Sequence, residues 1–124
     1  MAVFLDSPGR SPFAVREWAA WMAQMVAVAN QPEDLAVNLI LVDDARIAEL
    51  NSRSLGRPGP TNVISFPAEI YLSLDALKRE CRLYGQDLGC HARRLLAHGL
   101  GHALGYDHGP EMDALIGFML GLAK

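Results

Sequence analysis

The chain has 124 residues, 51% of them hydrophobic and 20% charged, with a formal net charge of −3. That length supports one core, since two halves would each be marginal, so a single domain over residues 1–124 is expected. The composition excludes a disordered chain. The longest apolar stretches, Trp18 to Ala23 and Leu115 to Ala123, fall short of the roughly 18–20 residues that cross a bilayer.

Val3-Phe4-Leu5 reads as a short strand ended by the turn signal Ser7-Pro8-Gly9. Ser11-Pro12, a cap followed by proline at the first helical position, predicts a helix start, and Val15, Trp18, Met22, Met25 and Val26 recur behind it at helical spacing as a core stripe. After a break at Gln31-Pro32-Glu33-Asp34, the β-rich run Leu35 to Val42 suits a central strand. Asp43 or Asp44 then caps a short helix with Ile47 and Leu50 inward, which Gly56 ends. Beyond the stiff loop Arg57-Pro58-Gly59-Pro60, Thr61 to Phe66 alternates as a strand that Pro67 terminates or pushes to an edge, and Ile70 to Ser73 reads as another. Leu74 to Leu83 is helical. Tyr84-Gly85-Gln86 breaks it, and from about Asp87 a further helix carries Leu95, Leu96, Leu100, Ala103 and Leu104 inward. Gly109-Pro110 separates that helix from a closing amphipathic one around Met112, Leu115, Met119 and Leu122. The expected class is α+β, one small mixed sheet packed against several helices, with a metal site on a helix and the turn after it.

The first six residues lack a basic start and a long apolar run, so no secretory signal is expected and the cytoplasm is the expected location. Cys81 and Cys90, nine positions apart, match neither a zinc pair nor a disulfide framework and are read as reduced thiols. The negative charge argues against a non-specific polyanion binder. Its distribution is uneven: eight of the eleven basic residues, but only five of the fourteen acidic ones, lie between Ala45 and Arg94. A local basic surface and an ordinary solvated face fit that distribution about equally.

The chemistry concentrates in His98-Gly99-Leu100-Gly101-His102-Ala103-Leu104-Gly105-Tyr106-Asp107-His108, which holds three of the four histidines. On a helix His98 and His102 share a face, and a left-handed Gly105 turns the chain so that His108 returns as a third ligand. Three neutral nitrogen ligands leave one tetrahedral position open, as catalytic zinc sites do. His91 lies two turns before His98 on nearly the same face, about 10 Å away and too far to ligate. The spacing matches the metzincin protease frame H-E-x-x-H-x-x-G-x-x-H, but Gly99 stands where those enzymes place their glutamate base, which weakens a peptidase reading. Asp107 suits either of two roles: accepting the free N–H of a ligand histidine or taking a proton from water.

The segment His98 to His108 resembles the hallmark H-G-x-L-H-x-x-G-Y-D-H of the YbeY family of ribosomal-RNA maturation endoribonucleases, departing from it at Gly101. Pro60-Thr61-Asn62-Val63-Ile64-Ser65-Phe66-Pro67 is similar to that family's P-T-[DN]-V-L-S-F-P, and Leu50-Asn51 to the L-N before it. The resemblance implies an α+β metalloprotein with one zinc ion on His98, His102 and His108, cleaving single-stranded RNA during small-subunit rRNA maturation and ribosome quality control. It also implies ribosomal RNA and the small subunit or its proteins as partners, while the short apolar stretches predict no membrane partner. Where the family has an arginine five residues before the proline of its P-T-[DN]-V motif, this chain has Leu55, flanked by Arg53 and Arg57. Arg57 is the expected phosphate-holding residue, with Arg53 as its alternative, and Ser65 a hydrogen-bond donor to phosphate. The alternatives are a non-catalytic zinc-containing ribosome assembly or binding factor, which Leu55 favours, and a metal hydrolase of peptides or amides.

Overall fold

The computed structural model describes residues 1–7, 9–32 and 35–121, so expectations resting on Pro8, Glu33, Asp34 and Leu122 lie outside the described residues. The elements run β1 (Val3–Asp6), α1 (Val15–Val28), β2 (Asn38–Val42), α2 (Asp44–Leu55), β3 (Val63–Phe66), β4 (Glu69–Ser73), α3 (Leu74–Tyr84), α4 (Leu88–Ala103) and α5 (Pro110–Met119). The sheet has the order β1-β2-β4-β3, with β2 parallel to both β1 and β4 and with β3 antiparallel to β4. This is the mixed sheet of an α+β fold. Parallel neighbours require a crossover, which α1 supplies between β1 and β2. Among the described residues no helix is long and apolar enough to cross a membrane.

Side chains alternate across the strands and so divide the core between two faces. Leu39, Leu41, Ile70 and Leu72 join Trp18, Met22, Leu96, Leu100 and Met112 on the larger side. Ile40, Val42 and Ile64 meet Ile47 of α2 on the other, with Leu50 partly buried beside them. The helix termini follow their local chemistry. Asp43 accepts from the Arg46 N–H and Ser73 from the Ala76 N–H, while Gly56 (φ 64°) and Gly85 (φ 62°) close α2 and α3 in the left-handed conformation.

The first helix starts later than Ser11-Pro12 predicts. Ser11 Oγ accepts from the Phe13 N–H at 3.2 Å and from Trp18 Nε1 at 2.9 Å, so the side chain expected as a cap instead holds a turn and anchors the buried indole. Helical geometry begins at Val15, which is exposed and not part of the core stripe. Strand β2 likewise begins at Asn38, because Leu35 and Val37 are held in turns by their N–H bonds to Pro32 and Leu35 carbonyls.

Two tertiary contacts seat α4 and α2 in the fold. At Gly99, in the middle of α4, a Cβ would lie 2.7 Å from Ile70 Cγ2 and 3.1 Å from Val63 Cγ1, so the helix backbone rests directly on β3 and β4. Ser65 Oγ donates to the Gly99 carbonyl at 2.8 Å across the same contact. On the opposite face Asp44 accepts from Ser73 Oγ at 3.0 Å and Arg79 Nη1 at 2.7 Å, tying α2 to the start of α3.

Gly99→Ala is expected to cost about 1–3 kcal/mol through overpacking, and Ser65→Ala about 1 kcal/mol. Both are read from urea midpoints, and an unchanged midpoint for Gly99→Ala contradicts the close approach. The Arg79 hydrogen bond, aided by Ser73 and opposed by partial burial, holds the Asp44 carboxyl below its ordinary 3.8. Its contribution is therefore complete above 3.8 and is lost as pH falls through the lower folded-state value. The stability gap between wild type and Arg79→Gln should accordingly be present at neutral pH and shrink in acid. A gap that persists in acid contradicts that linkage.

Candidate metal centre

Helix α4 is started by Asp87, whose carboxylate accepts the Cys90 N–H at 2.9 Å, a bond that with its neighbours holds that carboxyl below its ordinary range. From there the 3.6-residue period lines up His91, Arg94, Leu95, His98 and His102 along one open cavity of about 380 Å³, closed by Asn62, Val63 and His108. The helix ends in a reversal built on Gly105 (φ 95°): Tyr106 N bonds to the Gly101 carbonyl at 3.0 Å and Gly105 N to His102 O at 2.9 Å. This turn returns His108 to the cavity, where its ring meets that of His102 edge to face with centroids 4.7 Å apart.

The donor chemistry fits a divalent cation. His102 Nδ1 lies 3.0 Å from the Tyr106 carbonyl, an acceptor, so Nδ1 carries the proton and Nε2 keeps its lone pair. Burial lowers the His98 pKa from its ordinary 6.5, and the charges of His102 and His108 push it the same way, with Asp113 opposing. A neutral His98 is thereby favoured at physiological pH. The expected metal site is nevertheless not closed: among the described residues no three His, Cys, Asp or Glu side chains are set where they could hold an ion together. The three rings share the cavity without meeting at one point.

The other expected site residues are dispersed. Asp107 is exposed and lines the adjoining cleft with Ser65, Leu55, His102 and Tyr106. Its expected role as acceptor for a ligand N–H is filled, for His102, by the Tyr106 backbone carbonyl. Ser65 reaches the same cleft, but the proton expected to serve a phosphate goes to Gly99 O. Arg57 and Arg53 are exposed, Arg53 pairs with Glu49 at 3.3 Å, and neither is among the residues lining the cavities around the histidines. Leu55, half exposed, does line the cleft.

Sequence reasoning missed a polar group at the far end of the cavity. His91 is buried, with Nε2 2.8 Å from Glu80 Oε1. Asn62 Nδ2 donates to the same carboxylate at 3.3 Å, and Arg94 Nη1 donates to Gln86 Oε1 at 3.0 Å. The shared helical face of His91, Arg94 and His98 was the available signal. The α3 partner Glu80 had none.

The family model described as Endoribonuclease YbeY matches residues 8–119. The endoribonuclease YbeY of Nitratidesulfovibrio vulgaris is 39% identical over 144 aligned residues, covering 90% of this chain and 88% of the relative. That of Lawsonia intracellularis is 38% identical over 109, covering 82% and 80%. The solution structure of TM1509 from Thermotoga maritima superposes with a TM-score of 0.66 at 24% identity, over 98% of this chain and 90% of that one, a likeness of fold. With a family match across nearly its whole length and relatives at this identity, the chain belongs to the endoribonuclease YbeY family.

Proposed function

We propose that residues 1–124 form one metal-dependent endoribonuclease domain that hydrolyses phosphodiesters of single-stranded RNA in small-subunit rRNA maturation and ribosome quality control. In this reading it works in the cytoplasm, with ribosomal RNA and small-subunit proteins as partners. The observation that carries the reading is the His102 ring, held by the Tyr106 carbonyl with Nε2 free, beside His98 and His108 in one cavity.

His98, His102 and His108 would hold one zinc ion, which when bound supplies Lewis acidity toward a phosphoryl oxygen and acidifies water. His98 is half-buried with its pKa lowered by that burial, His102 is oriented by the backbone, and His108 arrives exposed on the turn. Asp107, exposed at the cleft mouth, takes the proton of the attacking water on its carboxylate. Ser65 keeps β3 seated against α4 beside the reacting phosphate. Arg57, on the loop after α2, draws the RNA backbone toward the cleft. A non-catalytic zinc-containing binding factor is the second reading, favoured by the uncharged Leu55 in the cleft. A peptidase-like base at position 99 has no space, since even a Cβ there collides with Ile70.

Elemental analysis alongside a defined single-stranded RNA assay tests this. His98→Ala and His102→Ala should lose most bound zinc and all measurable cleavage, whereas Asp107→Asn should keep its zinc and cut at least about 10²-fold more slowly. Full zinc content in either histidine variant overturns the ligand assignment. A zinc-bound wild type that leaves RNA uncut establishes the binding factor instead.

A further inference from the structure

Among the residues lining the three cavities that border the histidines, the one Lys or Arg is Arg94. Its position on α4, one turn before His98, puts the guanidinium on the same wall as the candidate ligands. Its Nη1 is held by Gln86 Oε1 at 3.0 Å and faces His91 Nδ1 at 3.5 Å. His91 is fixed in turn: its Nε2 proton goes to Glu80, whose carboxylate also accepts from Asn62, so Nδ1 presents a lone pair toward Arg94. This chain of contacts ties α3, α4 and the segment before β3 into one brace.

Two features make the brace a mounting for a cation rather than its neutralisation. Among the described residues Arg94 makes no ion pair, and the carboxylate nearest in the network, Glu80, is turned to His91 and Asn62. Only Nη1 is engaged in these bonds, which leaves the rest of the guanidinium fork for an anion, and a fork of N–H donors matches two phosphate oxygens. The other walls carry imidazoles, Asn62, Val63 and Leu95. The brace has also removed much of the side-chain freedom that a surface arginine such as Arg57 loses on binding.

We propose that Arg94 is the phosphate-binding residue of this site, taking a backbone phosphate of single-stranded RNA on its guanidinium next to the histidine trio. The proposal rests on the endoribonuclease reading. It places on α4, at the histidine cavity itself, the cation that position 55 lacks, while Arg57 on the loop after α2 draws the RNA in from outside that cavity.

Fluorescence anisotropy with a labelled decauridylate, over a salt series, tests it on the protein as purified and again after EDTA treatment. Under both conditions Arg94→Ala should weaken binding about tenfold and flatten the dependence of log K on log salt by about 0.7. Arg94→Lys should restore the slope and part of the affinity, with Arg16→Ala on α1 binding as wild type. Zinc content of Arg94→Ala should match wild type. Wild-type affinity and slope in Arg94→Ala under either condition overturn the proposal, as does a loss of affinity that lysine fails to relieve and that leaves the slope unchanged. A wild-type protein that does not bind the oligonucleotide overturns the RNA reading itself, and the Arg94 assignment with it.

Discussion

The site depends on how closely one helix lies on the sheet. At Gly99 there is no room for a side chain between α4 and the methyl groups of Ile70 and Val63. A larger residue would lift the helix, and everything mounted on it would move. Ser65 fixes the rotation of the helix at the same point by bonding the Gly99 carbonyl. With height and rotation both set, His98 and His102 fall on the face turned toward the segment before β3, and His91 and Arg94 follow on the same line. The geometry of the cavity is thus a consequence of packing in the core beneath it.

That constraint also separates this site from proteases with the same histidine spacing. Where they carry a glutamate base, this fold requires a glycine, so any proton acceptor must come from elsewhere. The turn after α4 offers one. Gly105 reverses the chain, the Tyr106 carbonyl orients His102, Asp107 emerges at the cleft and His108 at the histidine cavity. A few residues therefore combine the orientation of one candidate ligand, the delivery of another and a carboxylate beside them.

Much of this is legible in the sequence, because it is written in local chemistry. Asp43, Gly56, Gly85 and Gly105 act within a few residues of themselves, and the alternation of Leu39 to Val42 and of Ile70 to Leu72 separates the two faces of the sheet. The failures share a cause. Ser11 reads as a cap because its bond to the Trp18 indole, seven residues away, has no signature in the pattern. Ser65 reads as free to meet a phosphate because Gly99, 34 residues on, is its partner only in the fold. Arg57 draws attention by its place beside Leu55, while the brace that holds Arg94 has no sequence signature, because Glu80 reaches His91 only through the packing of α3 on α4. Histidine spacing predicts three converging ligands; the fold brings the three imidazoles to one cavity, but among the described residues they are not set to hold an ion together.

If α4 and its terminal turn supply three imidazole nitrogens to one cation, X-ray absorption at the zinc edge of the loaded protein tests it most directly. The expected spectrum shows three imidazole nitrogens and one oxygen, with nitrogens at about 2.0–2.1 Å. A spectrum showing sulfur from Cys81 or Cys90, or fewer than three imidazoles, would contradict that assignment.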